Sequence, residues 1–74
     1  MTLSEALKVA RKKRGLSKWQ VAKVLGVGWL TVHAWEEGKY LPRADKLLKL
    51  ARLFPELLEL VNGGDEDGEE RKER

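Results

Sequence analysis

Helix-start and helix-stop signals punctuate this chain so closely that it can build only short helices. Thr2 with Glu5, and Ser17 with Gln20, are capping boxes, in which a hydroxyl and the side chain three residues on satisfy each other's N-terminal backbone donors. Gly15, Gly26 and Gly38 stand where runs of helical apolar spacing end, the usual place of a left-handed stop. Between these marks Leu3, Ala6, Leu7 and Ala10 predict a first helix over about 3–14. Val21, Ala22 and Leu25 predict a second over 18–25, and Val32 with Trp35 a third over 29–37, all by recurrence of apolar residues on one side of the spiral. Pro42 can open a helix but not sit inside one, and Ala44, Leu47, Leu48, Leu50 and Ala51 then mark a fourth over 43–53. Pro55, Glu56, Leu57, Leu58, Leu60 and Val61 make a short fifth before Asn62-Gly63-Gly64. The expected fold is all-α.

Size narrows the function classes. Seventy-four residues make one domain with too little buried surface to enclose a large catalytic cleft beside its core. Paired carboxylates, a nucleophile with its base and a phosphate loop are all unrecognisable, so no enzyme is expected. With no cysteine there is neither a disulfide framework nor a cysteine zinc site. His33 is the single histidine and lacks further ligands at metal-binding spacing, so neither metal nor cofactor is expected. The hydrophobic share of 42% and charged share of 36% suit a compact soluble body, and no apolar run approaches the roughly 18 residues of a membrane span. No membrane association and a cytoplasmic location are the expectations.

The charge is unevenly placed. Residues 1–62 carry 12 Lys and Arg against 6 Asp and Glu, net +6, while residues 63–74 carry 3 against 6, net −3. A basic body suits a polyanionic partner, because bound cations release counterions from nucleic acid. Arg11-Lys12-Lys13-Arg14 lies at the negative pole of the first helix, which it stabilises, and adds long-range attraction. The tail 63–74 has no apolar residue and is expected to be disordered. The domain is therefore 1–62.

The second helix, a tight turn at Gly26-Val27-Gly28 and the third helix are two short helices joined at an angle, a helix-turn-helix. The stretch Gly15-Leu16-Ser17-Lys18-Trp19-Gln20-Val21-Ala22-Lys23-Val24-Leu25-Gly26-Val27, then Thr31-Val32-His33-Ala34-Trp35-Glu36-Glu37-Gly38-Lys39, then Pro42, resembles the Xre-type family of phage Cro and repressor proteins. A Ser-opened second helix, a small inward Ala, a turn Gly and a Trp-Glu-x-Gly ending followed by Pro all fall at the family's spacing. The resemblance covers residues 3–62 and implies a compact five-helix, lambda-repressor-like domain that inserts its third helix into the major groove of double-stranded DNA.

Most of the matching residues have structural roles. Ala22 is small where the two helices cross, Gly26 allows a positive backbone angle, and Val21, Val32 and Trp35 point inward. Glu36 resembles the family's acid, a partner for a buried or helix-end donor. At about 100° per residue the face opposite Val32 and Trp35 holds Trp29, Leu30, His33 and Glu37, with Ala34 at its edge. The resemblance implies base contacts from Trp29, Leu30, His33 and Ala34, usually through polar side chains, and this chain departs from that habit. Trp29 and Leu30 can pack on a thymine methyl, and Glu37 can accept only from cytosine. Phosphate contacts are expected from Ser17, Lys18, Gly28, Thr31, Lys39 and Arg43, Lys18 standing where the family uses a polar residue and the helix N-termini adding amide donors. Trp19 stacks on sugar-phosphate or packs under the first helix.

Two functions fit. One is a sequence-specific transcriptional regulator of the repressor kind, bound to DNA as a homodimer through the Phe54–Val61 region, in a prokaryotic cell or its phage or plasmid. The other is a protein-interaction module of the same fold, such as an antitoxin or polymerase-associated factor, using Trp19, Trp29 and Leu30 as an apolar patch.

Overall fold

A computed structural model describes residues 1–59. The predicted tail, Leu60 and Val61 lie outside the described residues. Within them the chain folds into α1 (Leu3–Lys13), α2 (Lys18–Leu25), α3 (Trp29–Glu36), α4 (Ala44–Leu53) and a single turn, α5 (residues 56–59).

Local sequence dictates the boundaries. Thr2 Oγ1 accepts from the Glu5 amide at 3.2 Å while Glu5 Oε1 accepts from the Thr2 amide at 3.0 Å. Ser17 and Gln20 repeat the arrangement at 3.0 and 2.7 Å. Each box satisfies donors that a helix start otherwise leaves open. At the other end of α2, Gly26 takes φ +74°. The Val27 amide then donates to the Ala22 carbonyl at 3.0 Å and the Gly26 amide to Lys23 at 3.3 Å, the bond pair of a Schellman stop. The same pair closes α3 at Gly38, from Lys39 to Ala34 at 3.0 Å and from Gly38 to Trp35 at 3.2 Å. The expected ends at 14 and 37 fall one residue outside the helices, and Arg43 is the N-cap of α4 rather than its first residue.

One core joins the elements: Leu7 and Ala10 of α1, Val21, Ala22 and Leu25 of α2, Val32 and Trp35 of α3, Leu50 of α4, and Phe54 and Leu57 beyond it. Full burial of each large aliphatic side chain contributes about 1.5–3 kcal/mol against the entropy of ordering the chain. The α4 stripe is narrower than its leucines suggest, since Leu50 and Ala51 are buried, Leu47 is half-buried and Leu48 is 59% exposed. Phe54 and Leu57 are buried inside the domain. Of the segment expected to face a second copy, Leu58 is the exposed large apolar residue among those described.

Candidate functional site

The α2–α3 pair carries the site, and its angle is fixed from inside. Ala22 is buried at the crossing, and Val21, Val32 and Trp35 fill the wedge between the helices and the rest of the core. A polar clamp holds the far end of α3. Arg11 Nε donates to Glu36 Oε2 at 2.6 Å, Nη2 donates to Glu36 Oε1 at 3.0 Å and Nη1 donates to the Leu16 carbonyl at 2.8 Å. Both residues are buried. Glu36 is thus held inside the domain by Arg11. The basic cluster at the end of α1 divides accordingly. Arg11 serves the interior, while Arg14 forks onto Glu56 at 2.6 and 2.8 Å and lies 5.1 Å above the Phe54 ring. The Arg14 hydrogen bonds hold the Glu56 carboxyl at about 2, from 4.5, because they favour its charged form.

On α3 the three buried residues are Val32, Trp35 and Glu36. Counting Glu36 as buried turns the outward direction, at about 100° per residue, toward Leu30, Ala34 and Glu37. Leu30 is 63% exposed, Glu37 and Thr31 are exposed, Trp29 is 49% exposed, and His33 and Ala34 are half-buried. All five residues expected on the outer face are thus at least partly open to solvent. Ala34 belongs to its middle rather than its edge, and Trp29 to one flank.

That flank is tied to α2. Lys18 Nζ lies 2.8 Å from His33 Nδ1. An ammonium can only donate, so Nδ1 accepts and the ring proton sits on Nε2, leaving the imidazole with one donor of its own. Trp29 stands against the same imidazole with centroids 6.1 Å apart and planes at 58°. Gly28 caps α3 without any side-chain hydrogen bond, so the first amides of that helix are left for solvent or an anion. Ser17, Gly28, Lys39 and Arg43 are exposed and Lys18 is half-buried.

The other flank is a shallow apolar notch of about 300 Å³ lined by Leu30, Thr31, Ala34, Trp35 and Tyr40. Tyr40 was not singled out from sequence, where it reads as one residue of a connecting loop. A second cleft, about 330 Å³, runs between Trp19, Lys23 and Trp29 over Ala22, Val27 and Gly28. Trp19 does not pack under α1. It is 59% exposed, with Lys23 Nζ of its own helix 5.0 Å from its ring centre, a cation–π contact that leaves most of the indole open to solvent. Among the described residues no three potential metal ligands converge, and no helix is long and apolar enough to cross a membrane.

The family model described as helix-turn-helix matches residues 7–60. No curated protein and no solved structure matches the chain.

Proposed function

The chain belongs to the Xre-type helix-turn-helix family of DNA-binding regulators, and from that premise we propose that it is a sequence-specific transcriptional repressor of the Cro kind. In this reading α3 enters the major groove of double-stranded DNA. Leu30, Ala34 and Glu37 face the bases directly and Trp29 and His33 face them from the flank. Ser17, Lys18, Gly28, Thr31, Lys39 and Arg43 face phosphates, and occupancy of the site blocks transcription. The observation that carries it is an α3 whose outer side is open to solvent while its inner side is fixed by the buried Arg11–Glu36 clamp, with Lys18 on one flank and Lys39 and Arg43 after its end. A reading helix needs that rigidity, because base contacts discriminate only when held in register.

Two copies related by a two-fold axis would set their α3 helices one DNA turn apart, about 34 Å, on a near-palindrome. The prokaryotic cytoplasm, on the nucleoid, is the proposed location. Selection of bound sites from random duplex DNA at two salt concentrations tests the proposal. An enriched sequence that persists at the higher salt is expected, since phosphate attraction alone falls steeply with salt. Recovery of unenriched DNA at both salts would overturn it.

The exposed Trp19, Trp29 and Leu30 favour a second reading, in which the same surface docks a protein. The two separate on Trp29→Ala: loss of DNA binding with partner capture intact sinks the second reading.

A further inference from the structure

We infer that the notch on the Tyr40 flank of α3 is a receptor for the C5-methyl group of a pyrimidine in the major groove, so that this chain reads a methyl where hydrogen bonds are the commoner means. The inference rests on the reading that α3 enters that groove. Three features of the notch carry it.

The first is its chemistry. Leu30, Thr31, Ala34, Trp35 and Tyr40 line one concavity of about 300 Å³. Its only side-chain polar groups besides the buried indole are two hydroxyls, those of Thr31 and Tyr40. No guanidinium, ammonium or carboxamide is present to form the two-pronged contacts that pick out guanine or adenine. What distinguishes thymine on the same edge is a methyl beside an O4 acceptor, and a mainly apolar lining that includes two hydroxyl-bearing residues suits that pair.

The second is position. Leu30 and Ala34 are near the middle of the outward side of α3, so the notch begins where the helix would meet base edges and ends at the connecting loop. The third is rigidity and charge. Trp35 is 5% exposed and belongs to the core, so that part of the lining is fixed before anything binds, while Leu30 and Tyr40 at 63% and 69% exposure are free to close on a methyl. Lys39 lies one residue before Tyr40 and Arg43 three after, which brings cations for the adjoining phosphates to the same end of the helix.

Thymine and 5-methylcytosine share the group, and the test separates them. Sites are first selected with the full chain from two random duplex pools, one ordinary and one copied with 5-methylcytosine. Duplexes of the selected sites are then made with each thymine replaced in turn by deoxyuridine, and each 5-methylcytosine by cytosine, changes that remove only the methyl. At one position per half-site, affinity should fall about fourfold, the worth of one buried methyl. The Leu30→Ala chain should bind the methylated and demethylated duplexes alike there while still preferring the selected site to unrelated duplex, a preference that an unfolded variant would lose. Loss at thymine identifies thymine as the source, and loss confined to 5-methylcytosine identifies the modified base. Tight, sequence-selective binding that is indifferent to every methyl overturns the notch assignment and leaves the DNA reading standing. Failure to enrich any site overturns both.

Discussion

Arg11 of α1 and Glu36 of α3 form a two-pronged ion pair, 2.6 and 3.0 Å, with the Glu36 side chain wholly removed from solvent. The third arm of the guanidinium reaches the Leu16 carbonyl just before α2, so one side chain joins the end of α1, the entry of α2 and the end of α3. Hydrophobic attraction is itself non-directional. A forked, buried pair is directional, and it locks the rotation of α3 about its own axis, hence which residues face outward.

Removing one partner should therefore cost far more than the pair contributes. Glu36→Ala leaves a buried guanidinium uncompensated, a loss of about 3–5 kcal/mol from the roughly 5–10 kcal/mol available to a domain of this size. The expected fall in Tm exceeds about 12 °C, given about 4–8 °C per kcal/mol for such lengths. Replacing both members, Arg11→Met with Glu36→Leu, should recover most of it, because two apolar side chains need no desolvation. Thermal melts followed by circular dichroism decide the matter, and a double variant no better than Glu36→Ala would contradict it.

The pair between Arg14 and Glu56 makes a different prediction, one of pH. The Glu56 carboxyl is depressed from 4.5 to about 2 in the folded chain. A depressed acid contributes stability that is fully present above its unfolded value and is lost as pH falls through the folded one. The window is thus about pH 4.5 down to 2. Glu56→Gln should melt below the parent chain at pH 7, and the gap should narrow through that window as the parent loses the ion pair. A gap that stays constant from pH 7 to 2.5 would show that the pair does not stabilise the fold.

These two pairs also mark what sequence reading could and could not reach. The capping boxes, the glycine stops and the buried positions Val21, Ala22, Val32 and Trp35 were legible because each signal acts within four residues of itself. Arg11 reads locally as a dipole cation, since its partner lies 25 positions away, and Arg14 as another, its partner being 42 away. The acid at Glu36 showed that a donor was needed but not which one. The same blind spot displaced the outer face of α3. With only Val32 and Trp35 counted as inner, Ala34 and His33 stand about equally far to either side of the outward direction, and the burial of Glu36 by Arg11 moves that direction toward Ala34 and away from His33. Tyr40 had no periodic signal, because loop residues have none, and its place beside Leu30 comes from the Schellman stop that folds the chain back after Gly38.

Gly26 allows a local test of the turn that sets the two helices at their angle. Its φ is +74°, and a Cβ built there meets nothing within 4 Å. The cost of Gly26→Ala is then conformational alone, about 1–2 kcal/mol for a side chain in the left-handed region. Gly26→Asn should recover part of that loss, since Asn tolerates this conformation best among residues with a side chain. Melts that rank Gly above Asn above Ala are expected, and an Ala chain as stable as the parent would mean the turn has another conformation open to it.

Salt dependence separates the proposed phosphate contacts from everything else on the surface. Each phosphate neutralised by a cation adds about 0.9 to the slope of log K against log salt on duplex DNA. Lys39→Ala and Arg43→Ala should each lower that slope by about one per copy, about two for a bound pair, and weaken binding to selected and unrelated sequences by the same factor, because phosphate contacts carry no sequence information. Lys18→Ala should do more. Lys18 also donates to His33 Nδ1 at 2.8 Å, so its removal frees the ring to take its proton on either nitrogen. The donor that His33 offers toward a base acceptor is then no longer fixed, and preference for the selected site should fall along with the slope. Equal losses on selected and unrelated DNA for all three variants would detach His33 from base reading and leave Lys18 an ordinary phosphate cation.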